Sequence, residues 1–248
     1  MKAAFVLWLR QLKRYLRSKS RIIGSVGQPI LFLVALGYGF GPIYAKAGGG
    51  NYINFLAPGV IGQAILFTAI FSGIELIWDR QFGFLKETLV APVSRLEIML
   101  GRTLGGATIA IIQGLIVFVL ALFIGFKPAS WAGLLPALLM MFLIALFFTG
   151  LGTAIAATLQ DMQGFQLIMN FLVMPLFFLS GALFPLDGLP PGIAKVTQIN
   201  PFTYGIDGLR AALTGQSHFA FSLDLMVMSG FTLVILVIGT YLFSKIEI

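Results

Sequence analysis

The sequence predicts an all-α integral membrane protein with six transmembrane helices, and three observations carry that prediction. Charged residues make up only 10% of the 248 positions and apolar residues 58%, with a mean hydropathy of +0.98; a soluble domain carries roughly 25% charged residues. Sixteen Lys and Arg with nine Asp and Glu cannot cover the surface of so short a chain, so much of that surface faces something other than water. Charge-free intervals long enough to cross a bilayer recur along the chain, and its basic residues gather on alternate connections between them. The apolar content excludes a disordered chain, and the lack of a glycine period excludes a collagen-like one.

A hydrocarbon core of about 30 Å takes roughly 20 apolar residues as a helix. Residues 1–21 precede the first such interval. Phe5, Leu9, Leu12 and Leu16 recur there at helical spacing while Arg10, Lys13, Arg14 and Arg17 share another face. This is the pattern of an amphipathic helix lying in the membrane interface, the plainer alternative being an orientation signal. The first span is expected over Ile22–Ala45, whose 24 residues exceed the ~7–15 of a leader's apolar region, so a cleaved signal is not expected. The second runs from about Phe55 to Ile77, after the polar stretch Gly48-Gly49-Gly50-Asn51. The third lies between Arg102 and Lys127, the fourth within 128–160, the fifth over Met162–Leu186 and the sixth over Leu225–Ser244. The whole chain, 1–248, reads as one transmembrane domain.

Orientation follows from Lys and Arg in the connections. Seven fall in 1–21, four in 79–103 and one at Lys245, against Lys46, Lys127, Lys195 and Arg210 on the other side. Twelve against four places both termini in the cytoplasm of a multi-pass cell-membrane protein. A net charge of +7 would suggest nucleic acid in a soluble protein; crowded into the first 21 residues, it points to anionic membrane lipids, and no nucleic-acid partner is expected. With no cysteine there is no disulfide, thiolate metal site or Cys nucleophile, and the single histidine, His218, excludes a His-rich metal centre.

Two connections hold most of the information. In 79–103, Pro92 interrupts the helix, because the residue before a proline is pushed out of the helical region. Ser94 then N-caps a new helix, with Glu97 three residues on as the second half of a capping box. The expected result is a short helix bent against the third span, carrying Val90, Val93 and Leu96 near the membrane surface; the alternative is a solvated hairpin. The segment 187–223 is too apolar for a disordered loop and too rich in Pro and Gly for a straight span, so short re-entrant helices packed on protein are expected. Asp207 and Arg210 fall at i, i+3 and are expected to pair. Glu75 is expected to reach headgroups and water from the boundary of the second span, Asp161 to be solvated in a short turn, and His218 to have a surface role.

Asp79-Arg80-Gln81-Phe82-Gly83, followed by Leu89, Val90, Ala91, Pro92, Val93, Ser94 and Arg95, resembles the loop that type-2 ATP-binding-cassette exporter permeases present to their ATPase. Gly181 through Pro185, then Asn200, Pro201 and Tyr204 through Asp207 and Arg210, resembles that family's signature around its last two spans. The resemblance covers nearly the whole chain; Gln81 stands where the family usually has an acid. It implies a permease that moves an amphiphilic drug, lipid or glycan-type molecule outward by alternating access. It also implies residues 89–97 as the coupling loop and a dimer with a second copy or a paralogue. Phe67, Thr68 and Phe71 with Phe165, Met169 and Phe177, and with Phe171 and Phe178, would then face the substrate path, the alternative being lipid contact or helix packing. No Gly-x-x-x-x-Gly-Lys-[Ser/Thr] loop occurs in the chain, so ATP and Mg are expected on two copies of a separate ATPase subunit. A secondary transporter or channel would predict carboxylates at the centres of the spans, and a membrane-embedded enzyme would need a catalytic cluster; neither pattern stands out in this sequence.

Overall fold

The computed structural model describes residues 2–246, and every regular element among them is helical. α1 (Lys2–Arg17) breaks at Ser18 and is followed by α2 (Lys19–Leu31), a π turn over Phe32–Leu36, and α3 (Gly37–Lys46). α4 (Tyr52–Phe71) starts from Asn51, whose side chain accepts from the Ile53 amide at 2.9 Å. A bend at Ser72-Gly73 leads into α5 (Ile74–Gln81), and Gly83, at φ +81°, turns the chain into α6 (Phe84–Val90). α7 (Arg95–Ile124) ends at Gly125, at φ +115°. A 3-10 turn, Trp131–Gly133, opens α8 (Leu134–Thr158). Then come α9 (Met162–Phe178), α10 (Pro191–Ile199), α11 (Pro201–Thr214) and α12 (Phe221–Ser244).

Among the described residues, five helical stretches are long and apolar enough to cross a membrane: Ile22–Lys46, Tyr52–Gln81, Arg95–Ile124, Trp131–Thr158 and Phe221–Ser244. The stretch expected as a span over 162–186 is shorter: α9 stops at Phe178 after 17 residues. Pro175 removes a ladder donor in its last turn, and Gly181, at φ +72°, then starts a run of irregular turns. A second correction concerns Ser94. It caps α7 itself, accepting from the Glu97 amide at 3.2 Å, so the third span is one 30-residue helix and the short helix, α6, precedes Pro92.

α4 is the centre post, with sixteen of its twenty residues buried. It packs against α7, α8 and α11, while α12 lies along α8 and α1 along α7. Small residues set the closest approaches, as in other membrane bundles. A Cβ on Gly73 would strike the Gly152 backbone, and one on Gly152 the Ile70 carbonyl, so α8 and the α4–α5 bend touch backbone to backbone. α1 meets α7 through Leu7, Gln11 and Tyr15, where Gly101 and Gly105 leave room; Phe5 and Leu16, expected on its apolar face, point away and are over half exposed. The bundle thus has a basic end, formed by α1, the α5–α6 elbow, the 159–161 turn and the end of α12. The opposite end carries 47–51, 125–130 and 179–220.

Candidate functional site

At the basic end the segment expected to face an ATPase begins on α5. Asp79 is buried and sits between two guanidinium groups: Arg10 of α1 donates to Oδ1 at 2.9 Å, and Arg102 of α7 pairs with Oδ2. Arg10 also lies 3.6 Å over the centroid of the Phe84 ring, at the start of α6. Burying one carboxylate between two cations keeps each charge partnered, which a dry setting requires. On the other side of α5, Arg80 donates to the Leu159 carbonyl at 2.7 Å and the Ala157 carbonyl at 3.0 Å, closing the C-terminal end of α8. Gln81 Nε2 reaches the Gln160 carbonyl at 3.3 Å, and Trp78 Nε1 contacts Met162 Sδ at the start of α9. Asp161 is exposed and caps α9 through the Gly164 amide. Glu75 is only 5% exposed, so it is enclosed by protein and does not reach out to headgroups as expected.

The elbow beyond α5 is anchored by Leu85, which is buried, and by Leu89 and Val93, half-buried on the core. Its outer rim is apolar: Phe82 is 80% exposed, Val90 77% and Leu96 52%. Ala91 and Glu97 are half-buried, while Pro92, Ser94 and Arg95 are exposed. Arg95 donates to the carbonyls of Ser244 at 2.8 Å and Ile246 at 2.7 Å. One guanidinium nitrogen of Arg95, Nη1, is therefore engaged by the end of α12, where a cation satisfies carbonyls the helix leaves open.

At the opposite end, the 179–190 turns and α10–α11 are held by side chains that satisfy stranded backbone groups. Asn200 caps α11 through the Phe202 amide at 3.0 Å and donates to the Leu176 carbonyl at 2.7 Å; Pro201 occupies the first helical position. Tyr204 donates to the Gln198 carbonyl, and Tyr52 to that of Leu183, both at 2.8 Å. Leu183 and Pro185 wall an apolar groove with Tyr44 and Tyr52. The expected Asp207–Arg210 pair is not formed. Asp207 accepts from the backbone amides of His218 and Phe219, at 2.9 and 2.7 Å, whereas Arg210 donates to the Gly181 carbonyl at 2.8 Å and stacks 4.1 Å from the Phe55 centroid. Charge-assisted bonds to stranded backbone groups, about 1.5–3 kcal/mol each, outweigh an i, i+3 pair of about 0.2–0.5 kcal/mol. Burial lowers the Arg210 guanidinium to about 10, with the Asp207 charge opposing that fall. His218 Nδ1 lies 2.9 Å from an Asp187 oxygen.

The residues proposed for a substrate path separate into three groups. Phe165, Met169 and Phe177 recur every four or eight positions on the buried face of α9; Phe71 meets Phe165, and Phe67 meets Phe177, with centroids 6.4 Å apart. Phe171 (85% exposed) and Phe178 (46%) face outward. Phe67, Thr68 and Phe71 line a cleft of about 210 Å³ shared with α1 and α2. Three polar residues inside the spans went unread in the sequence: Gln63, Gln113 and Asp224 are all nearly fully buried. Both carboxylate oxygens of Asp224 lack a hydrogen-bond partner among the described residues. Its signal was its position directly before the interval counted as the sixth span.

A family model described as ABC-2 type transporter matches residues 2–214. The chain is 30% identical to a transport permease, ycf38, of Cyanophora paradoxa, over 98% of this chain and 88% of that protein. It is 28% identical to Nodulation protein J of Rhizobium leguminosarum bv. viciae, over 90% of this chain and 86% of the relative. A second ycf38 permease, from Pyropia yezoensis, is 32% identical over 78% and 68%. With 213 of its 248 residues inside the family match and its helices built for a bilayer, the chain belongs to the ABC-2 type transporter family as a multi-pass membrane subunit.

Proposed function

We propose that this subunit is an exporter permease that moves an amphiphilic drug, lipid or glycan-type molecule outward by alternating access. In this reading both termini are cytoplasmic and α9 completes a sixth crossing with the turns that follow it. α10 and α11 dip into the outer leaflet. Family membership implies an ATPase subunit as partner; we take it as two copies, acting on a permease dimer formed with a second copy or a paralogue. ATP and Mg, held on that partner, supply the free energy that separates inward-open from outward-open states.

The observation that carries the reading is the rigid elbow at the basic end. An exposed apolar rim, Phe82, Val90 and Leu96, offers a docking edge. Behind it, Asp79 joins the elbow to α1 and α7, Arg80 to the α8–α9 turn, and Arg95 to α12. A push on the rim is thereby passed to α1 and to three of the long helices, α7, α8 and α12, at once, as a bistable bundle requires. Glu75 and the Asp79 cluster sit at the basic end, a placement that favours a structural relay over ion coupling at midplane. The test is to purify the permease with its ATPase in lipid vesicles and measure ATP hydrolysis and substrate movement. Hydrolysis should rise when permease is present and should lose that stimulation in a Phe82→Asp/Val90→Asp variant. Movement of substrate by the permease alone would overturn the proposal.

A further inference from the structure

The acid at the start of α12 has no part in the relay at the basic end. Asp224 is fully buried in the first turn of α12, and neither carboxylate oxygen has a hydrogen-bond partner among the described residues. α11 and α8 enclose it. A Cβ on Gly208 would lie 3.3 Å from Asp224 Cβ and would collide with Met140 Cε of α8, so only a glycine lets α11 close over the acid. The ionisable groups that act on Asp224 sit on α11. Asp207, the residue before Gly208, has its oxygens taken by the His218 and Phe219 amides, and its charge opposes a second one beside it; Tyr204 lies one turn earlier. Arg210 is turned to the Gly181 carbonyl and the Phe55 ring, and the His218 imidazole to Asp187. α8 has no ionisable residue, while Arg95, Glu97 and Arg102 of α7, and Tyr241 and Lys245 on α12, belong to the basic end. An ionised carboxylate in so dry a setting costs far more than a neutral acid, and a group placed there takes up a proton.

We propose that Asp224 is a proton-binding site: it holds a proton while α11 and α12 are packed together and releases it to the adjoining water when they part. On release the O–H bond breaks, the proton passes to water, and the electron pair stays on the carboxylate. Closure of this seam is thereby linked to proton uptake, and a higher pH at this end favours the parted state. The parting rests on the alternating-access reading; the proton held in the closed bundle does not.

The test uses the full chain in phosphatidylcholine nanodiscs. Infrared difference spectra at neutral pH between the parent and Asp224→Asn should show the carbonyl band of a protonated carboxylic acid that only the parent has. The folded chain then binds one proton more than the unfolded chain, so the parent loses stability as pH rises. Over the range in which only the folded chain keeps this proton, its folding equilibrium should fall about tenfold per pH unit relative to Asp224→Asn, and its melting temperature should drop away from that of the variant. Asp224→Leu serves the same comparisons if Asp224→Asn does not fold. With the ATPase partner and a non-hydrolysable ATP analogue, the band should weaken as the seam parts. A parent without the band, or melting temperatures of parent and variant that move with pH in parallel, overturns the proton site. A band that persists with the nucleotide, in a complex whose ATP hydrolysis the permease stimulates, overturns its release. Absence of that stimulation counts against the exporter reading alone, since the first two measurements involve no ATPase.

Discussion

Removing the Asp79 carboxylate tests whether the elbow is a rigid relay. In the native chain Asp79 sits between Arg10 and Arg102, whose side chains are 34% and 5% exposed. Arg10 keeps water around it and contributes little on its own. Arg102 is enclosed, so Asp79→Ala leaves a buried cation without its paired carboxylate and with Glu75 as the remaining acid acting on it, a loss of about 3–5 kcal/mol for pairs of this kind. At about 2–4 °C per kcal/mol for a chain of this size, the melting temperature should fall by about 6–20 °C. An Asp79→Leu/Arg102→Met double variant removes both charges together and should recover most of that fall, because apolar replacement of a buried pair is near neutral. The two variants should nevertheless share one defect, since both sever the link between α5 and α7: the permease should no longer stimulate its ATPase. Thermal unfolding in nanodiscs and ATP hydrolysis with the partner present measure the two effects. A single variant melting within about 2 °C of the parent, or a double variant that still stimulates, would refute the relay.

Arg95→Glu should reach the membrane at normal levels, since Arg95 is exposed and water takes up most of the about 1.5–3 kcal/mol that each lost bond, to the Ser244 and Ile246 carbonyls, is worth in a buried setting. It should fail to stimulate ATP hydrolysis, and normal transport would remove α12 from the coupling route. Asp224→Leu should raise the melting temperature by a few degrees, because the carboxyl it removes is buried without a partner among the described residues; a lower melting point would show that the assembled transporter supplies a partner. Single cysteines at Gly49 and Lys195 should react with an impermeant thiol reagent in intact cells while one at Lys86 does not, on a background free of native cysteine. Labelling at Lys86 but not Gly49 would reverse the orientation.

What the sequence made legible and what it did not have one physical cause. Lipid punishes every unpaired backbone group and most charges, so the long helices announce themselves as charge-free intervals wherever lipid or a dry core surrounds them. The same rule hides which face packs. α4 and α12 are about equally apolar, yet α4 is enclosed nearly all round and α12 is mostly exposed, because an apolar side chain serves against protein or lipid alike. Counting charges also passed over Gln63 and Gln113, uncharged groups that still need hydrogen-bond partners once water is gone. The motif around Asp79 was visible, but its partners lie 69 and 23 residues away and are brought to it only by the packing of α1 on α7. Asp207 and Arg210 show the limit of local rules most clearly. Spacing on a helix predicts that they meet, and they would do so on an exposed one. Here the irregular turns around Gly181 and His218 leave a carbonyl and two amides stranded, and each charged group is drawn to what the backbone cannot satisfy for itself. The acid and the base thus hold two separate turns in place, and their pairing is given up to keep the end of the bundle opposite the basic one closed.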